Sequence, residues 1–194
     1  MHHIAIFASG TGSNATKIVE YFKGHQDIEV SLVVSNKKDA PVLDMAKANN
    51  IPTLVINRNH FYNSEDILKK IHIYKIDFIV LAGFLLLVPQ YLIRNFPNRI
   101  VNIHPALLPK YGGKGMYGMN VHKAVKAANE KESGITIHFV NEKYDEGKIL
   151  FQESCQIIPT DSPEMIAKKV LQLEHQHYSK VIENILTKEA QLEN

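Results

Sequence analysis

Five short apolar runs alternate with stretches of helical periodicity over the first 104 residues, and this rhythm constrains the fold more than any other feature. The runs at 3–9, 28–35, 53–57, 77–83 and 99–104 have the length of strands. Ile18, Val19, Tyr21 and Phe22 fall at helical spacing within 14–24. Asp39-Ala40-Pro41 opens a second helix that fades at Asn49-Asn50, and Ser64-Glu65-Asp66 caps a third that runs to about Tyr74. A short fourth helix falls near 89–95. The run "DFIVLAG" is apolar without alternation, as expected of a strand buried on both faces. Strands and helices in strict alternation with short connections predict an α/β fold with a parallel, doubly wound sheet.

The second half changes character. A glycine-rich loop at 111–118 and a helix at 119–130 precede two strands, "SGITIHFV" and "KILFQESCQII", joined by a tight acidic loop. Such a pair predicts a sheet that becomes mixed towards its C-terminal half. A long helix over about 161–187 closes the pattern. No linker, repeat or low-complexity tract interrupts the 194 residues, so we expect one domain spanning 1–194. Within it, 1–100 form a nucleotide-binding-like half, and 101–194 a specialised half.

The formal net charge is +2 and the charges are scattered, which argues against a dedicated nucleic-acid surface. No segment approaches the length of an apolar membrane span, and the N-terminal apolar run is too short for a signal peptide. A cytoplasmic location is the expectation. The single cysteine, Cys155, excludes an intrachain disulfide and reads as a small buried hydrophobe on a strand. His104, His122 and His138 lie far apart in the chain, and His175-x-His177 is not a zinc spacing for a helix, so no metal is expected.

The first strand runs into "SGTGSNA" and then a helix. A glycine loop feeding a helix N-terminus is an anion site, because free N–H groups and the helix dipole converge there. Gly10-x-Gly12-x-x-Ala15 falls within the dinucleotide pattern, but the second strand is followed by Ser35-Asn36-Lys37-Lys38 rather than an acid for a ribose diol. Those residues could still meet a 2′-phosphate. The polar pair Ser13-Asn14 suits a small phosphomonoester better, with Thr11, Gly12, Ser13 and Asn14 as the cradle. A plain structural turn is the third reading.

The stretch "VNIHPALLPKYGG" places Asn102 and His104 two residues apart on a strand, hence on one face. Both sit at the carboxyl end, where open α/β sheets keep their sites, and Pro105 stops the strand. An amide donor beside an imidazole makes a plausible oxyanion site. Asp145, with Gly147 two residues on, falls in the turn between the last two strands, where Asp-x-Gly is also ordinary turn chemistry.

Taken together, Gly12-Ser13-Asn14, Asn102-Ile103-His104-Pro105 with Leu107-Leu108-Pro109, and Gly134 through Asp145-x-Gly147 resemble the phosphoribosylglycinamide formyltransferase family. These are the folate-dependent enzymes of purine synthesis, and the resemblance runs over nearly the whole chain. It implies a formyltransferase-like Rossmann variant that moves the formyl group of 10-formyltetrahydrofolate, as co-substrate, to the amine of glycinamide ribonucleotide. The matching catalytic positions are Asn102, His104 and Asp145, with His138 in a core or supporting role. Asp145 would raise the pKa of His104 by favouring its charged form.

The resemblance further implies that Glu174 contacts the substrate's ribose. Phe84, Leu85, Leu86, Leu87, Val88, Asn141 and Tyr144 would receive the folate. Relatives commonly carry a basic residue where this chain has Leu85-Leu86, and another where it has Ser64. Recognition of the folate's glutamate tail at these two positions is therefore not expected here. The glycines of "YGGKGMYGMNVH" suggest a mobile flap. The expected partners are the two small substrates, with no nucleic acid and no membrane, in a monomer or homodimer.

Two relatives in the superfamily carry an additional domain, one for tRNA and one regulatory, for which this length leaves no room. An NADP-dependent reductase would use the glycine loop but give Asn102, His104 and Asp145 no joint task. A non-catalytic nucleotide-binding module would need the loop alone.

Overall fold

A computed structural model describes residues 1–192, with side chains to Thr187; the last two positions of the expected 1–194 domain lie outside the described residues. The strands are β1 (His2–Phe7), β2 (Ile28–Ser35), β3 (Thr53–Val55), β4 (Phe78–Leu81), β5 (Ile100–His104), β6 (Glu132–Phe139) and β7 (Ile149–Gln156). They form one sheet in the order β3-β2-β1-β4-β5-β6-β7. The first five run parallel, and β6 and β7 are antiparallel additions at one side.

Alternation of side chains along the strands makes two apolar layers. Ile4, Ile6 and Ala8 join one core with α1 (Ser13–Phe22), α2 (Pro41–Ala48), α6 (Met119–Ala127) and α7 (Pro163–Leu192). Ala5 and Phe7 join the other, with α3 (Arg58–Asn63), α4 (Asp66–Ile73) and α5 (Gln90–Asn95). A register shift in the β1–β2 pairing leaves Ser31 unpaired. It puts Val30 and Val33, an odd spacing apart, in the same core.

The expected doubly wound, mixed sheet is what the chain forms, and several boundaries differ. The third strand ends at Val55 rather than 57, because Asn57 is the N-cap of α3, its side chain accepting from the Asn59 N–H at 2.8 Å. That six-residue helix has too few turns to give a periodic signal, and the sequence reading missed it. The final helix continues beyond 187, and α6 ends earlier than 130. Cys155 is half-buried, not buried, since β7 is an edge strand with one neighbour.

Thr136 on β6 pins the turn that follows β5. Its hydroxyl donates to the Ala106 carbonyl at 2.7 Å and accepts from the Leu108 N–H at 2.9 Å. Gln152 on β7 donates to Thr136 Oγ1 and to the Leu108 carbonyl. The two antiparallel strands thus hold the exit of β5 in place.

The loop joining β6 to β7 returns against β6 so closely that residue 147 must lack a side chain. A Cβ on Gly147 would lie 1.6 Å from the Phe139 carbonyl oxygen. Gly147→Ala is therefore expected to cost about 1–3 kcal/mol as an overpacked contact. Its thermal midpoint should fall by roughly 2–12 °C in calorimetry. An unchanged midpoint would mean that the loop is not held there.

Candidate active site

The order of strands reverses at β1, which has β2 on one side and β4 on the other. Crevices of open α/β sheets form beyond the carboxyl ends of strands at such a point. Here the crevice is a cleft of about 840 Å³. Its walls come from the loop Gly10–Asn14, the segment Leu81–Val88, the end of β5, residues 113–119, residues 143–145 and α7.

At one end lies the N-terminus of α1. Gly12 takes φ 75°, and a Cβ there would meet Val42 Cγ2 at 2.4 Å, so glycine is needed on both counts. The residue after β2, where a dinucleotide site wants an acid, is Asn36, and its side chain turns onto Ser9. Asn14 Nδ2 donates to Glu174 Oε2 at 2.6 Å, tying the loop to α7. Glu174 is 9% exposed rather than a surface acid. Burial raises its pKa, and the hydrogen bond from Asn14 opposes this in part. Asn14 Oδ1 is buried without a hydrogen-bond partner, so the loop has an acceptor in reserve.

At the centre, β5 pairs with β6 so that Asn102 faces His138 and His104 faces Thr136. Directly opposed residues share a face, which settles the orientation of His138 that its own strand left open. Its Nε2 lies 3.2 Å from Asn102 Nδ2 and 3.6 Å from Asp145 Oδ1. Its Nδ1 is 2.9 Å from the Phe139 carbonyl, which can only accept, so Nδ1 carries a proton. In the neutral ring, Nε2 then accepts from the Asn102 amide and fixes which way that amide points.

His104 is 4% exposed, and its Nε2 donates to the Tyr111 carbonyl at 2.7 Å. Its Nδ1 is 3.6 Å from Asp145 Oδ2, too far for a hydrogen bond but close enough to attract a proton there. The Gly113 N–H donates to the same Oδ2 at 2.9 Å. Asp145 sits at φ 56°, the left-handed turn conformation that Asp tolerates. Burial pushes its carboxyl up, but His138, His104 and the Gly113 N–H outweigh this and hold it below the usual carboxylate value.

The expected raising effect of Asp145 on the pKa of His104 is present but does not prevail. Asp145 and the Tyr111 carbonyl do favour the charged ring, but burial is the larger effect and His138 adds to it, so the pKa is lowered. The free site therefore pairs an ionised Asp145 with a neutral His104 at pH 7.

The apolar wall is the loop after β4. Phe84, Leu85, Leu86, Leu87 and Val88 all line the cleft, as does Tyr144. Phe84 also packs edge-on to Phe7 and Phe61, and Val88 is core, so these two anchor the loop. Asn141 does not line the cleft; its side chain accepts from the Lys143 N–H and shapes the 141–145 turn. Thr11, Ser13 and Glu174 line it too. The structure adds His122 on α6, whose buried Nδ1 has no hydrogen-bond partner, and the carbonyl of Tyr111. Backbone carbonyls leave no sequence signal. His104, His122 and His138, distant in the chain, meet at one cleft. Among the described residues, no group of three or more His, Cys, Asp or Glu could hold a metal ion.

Residues 2–182 match the formyl transferase family. The chain belongs to that family. It is 47% identical over 188 residues to a chloroplastic phosphoribosylglycinamide formyltransferase of Arabidopsis thaliana, covering 92% of this chain and 63% of the relative. A phosphoribosylglycinamide formyltransferase of Bacillus subtilis (strain 168) is 34% identical, covering 96% of this chain and 95% of the relative. The crystal structure of one from Bacillus halodurans superposes with a TM-score of 0.87 at 35% identity, with 96% of each chain covered. The chain spans about 60% of the length of the plant relatives it matches, 63% and 59%. Among the described residues no helix is long and apolar enough to cross a membrane.

Because the folded-state pKa of His104 lies below the unfolded value of 6.5, the unfolded chain binds a proton there first as pH falls. This group therefore makes the fold less stable as pH drops below about 6.5, until the folded ring also titrates. In the ligand-free protein, NMR titration of the His104 ring is expected to give a midpoint below 6.5. Asp145→Asn should move that midpoint further down, since it removes the anion that favours the charged ring. A midpoint that rises in the variant would contradict the assigned electrostatics.

Proposed function

We propose that this member of the formyl transferase family transfers the formyl group of 10-formyltetrahydrofolate to the primary amine of glycinamide ribonucleotide, as in de novo purine synthesis. The carrying observation is the Asn102, His104, His138 and Asp145 cluster in the same cleft as the α1 N-terminus and an apolar loop. One cleft thus offers an anion site, polar groups around a largely buried carboxylate, and walls for a flat heterocycle. The family match and the names of the relatives support the same reading. The continuity of the sheet through both halves supports treating residues 1–192 as one domain. The two small substrates are the proposed partners.

In this reading the ribonucleotide phosphate rests on Thr11, Gly12, Ser13 and Asn14, where N–H groups of the first helical turn await acceptors. Glu174 takes the ribose, and the pterin lies against Leu85, Leu86 and Leu87 near Tyr144. The substrate amine attacks the formyl carbon, a C–N bond forms, and the carbonyl oxygen becomes an oxyanion. Asn102 donates to it through the N–H not taken by His138. His104 has Nε2 committed to Tyr111, so only Nδ1 can serve the reaction. Asp145, ionised and largely buried, guides the proton of the attacking amine through a water to His104 Nδ1 and stabilises the imidazolium so formed. Collapse of the intermediate breaks the bond to folate N10, which leaves with the returned proton. No covalent enzyme intermediate and no metal are invoked.

Turnover with the two named substrates, followed by folate absorbance, tests the assignment. Asn102→Ala is expected to lower kcat on the order of 10²–10³-fold, the usual cost of one oxyanion donor, while binding of the ribonucleotide persists. Absence of turnover by the folded wild-type protein would overturn the assignment. Near-normal turnover by the variant would remove Asn102 from the chemistry.

A further inference from the structure

The loop that walls the cleft after β4 is held by one residue from each of two neighbouring loops, and neither lines the cleft. Ser9, the second residue beyond β1, is 2% exposed. Its N–H donates to the Gly83 carbonyl at 3.0 Å, and its hydroxyl oxygen accepts from the Leu85 N–H at 2.9 Å. The serine thus clasps both ends of the bend at Gly83, which takes φ 73°. Its hydroxyl proton goes to Asn36 Oδ1 at 2.5 Å, on the residue that follows β2.

The polarity of this chain is what fixes the bend. With its proton committed to Asn36, the Ser9 oxygen turns a lone pair towards the Leu85 N–H, and each bond strengthens the other. Elsewhere in the loop the Leu87 backbone hydrogen-bonds with the Tyr62 side chain, and apolar contacts hold the rest, with Phe84 against Phe7 and Phe61 and with Val88 in the core. Those contacts resist withdrawal from the core, but hydrophobic packing is non-directional and sets the height of the backbone less sharply. At the Gly83–Leu85 bend the directional anchor is the Asn36–Ser9–Leu85 chain.

We propose that Asn36 is a positioning residue for the co-substrate: through Ser9 it sets the Leu85 backbone and with it the wall that receives the folate heterocycle. The inference rests on the function proposed above for its ligand, and on geometry alone for its mechanical part. It also gives a task to the position after β2 where a dinucleotide-binding chain would carry a ribose-binding acid.

Three variants of the full chain separate the two parts: Asn36→Ala, Ser9→Ala, and Asn36→Asp, which keeps an acceptor for the Ser9 hydroxyl. The first readout is amide exchange at Leu85 in the substrate-free protein, measured by NMR. Exchange should quicken at least tenfold in both alanine variants and stay within about threefold of wild type in Asn36→Asp. The second is steady-state kinetics. Asn36→Ala should raise KM for 10-formyltetrahydrofolate about five- to tenfold, the size expected for one lost hydrogen bond, with the ribonucleotide KM within twofold. Asn36→Asp should restore the folate KM. Unchanged Leu85 exchange in both alanine variants overturns the positioning role. A parallel rise in both KM values overturns its selectivity for the co-substrate. Should wild-type protein not turn over these substrates, the functional reading fails and the exchange data alone decide the clasp.

Discussion

A largely buried carboxylate between two imidazoles is the constraint around which the site is arranged. An ionised acid removed from water is tolerated only where partners replace its hydration. For Asp145 the Gly113 N–H of the 111–118 loop donates directly, and the His104 and His138 rings, from β5 and β6, lie 3.6 Å from its oxygens. The charge cannot be satisfied unless all three segments are in register. Gly147, pressed against the Phe139 carbonyl, keeps the loop that carries Asp145 from lifting away. The groups that make the charge bearable are the same groups that face the cleft.

A second acid, this one buried, sits at the other end of the cleft with the opposite shift. Glu174 has one side-chain hydrogen bond, from Asn14, and burial raises its pKa, whereas the two histidines and the Gly113 N–H lower that of Asp145 against the effect of burial. Environments that push two carboxyls apart are a usual way to divide tasks between them. Asp145 is built to stay charged beside the two histidines. Glu174 is built to hydrogen-bond, and one turn further along α7 the Tyr178 hydroxyl donates to the Leu81 carbonyl at the end of β4.

The parts of this arrangement legible in sequence were those governed by local periodicity. Strict strand–helix alternation leads to the sheet, and strand ends followed by Gly12 or Pro105 locate its working edge. Pairing across strands is not local, and there the reading ran out. The facing of His138 depends on its β5 partner, so it could not be assigned from its own strand. His122 was set aside for its distance in the chain, although α6 brings it to the same cleft as His104. The direction of the His104 shift was missed because a charge partner is visible in sequence and burial is not. The clasp on Leu85 combines a backbone N–H with two small polar side chains, none of which carries a pattern of its own.

The central claim is direct passage of a formyl group from folate to amine within one cleft. It is tested most directly with co-substrate labelled with ¹³C in the formyl carbon, in the presence of unlabelled formate, followed by ¹³C NMR. The account predicts that the label moves in full to the glycinamide nitrogen, with none in free formate. Label released as formate, or product formed from the unlabelled pool, would contradict it.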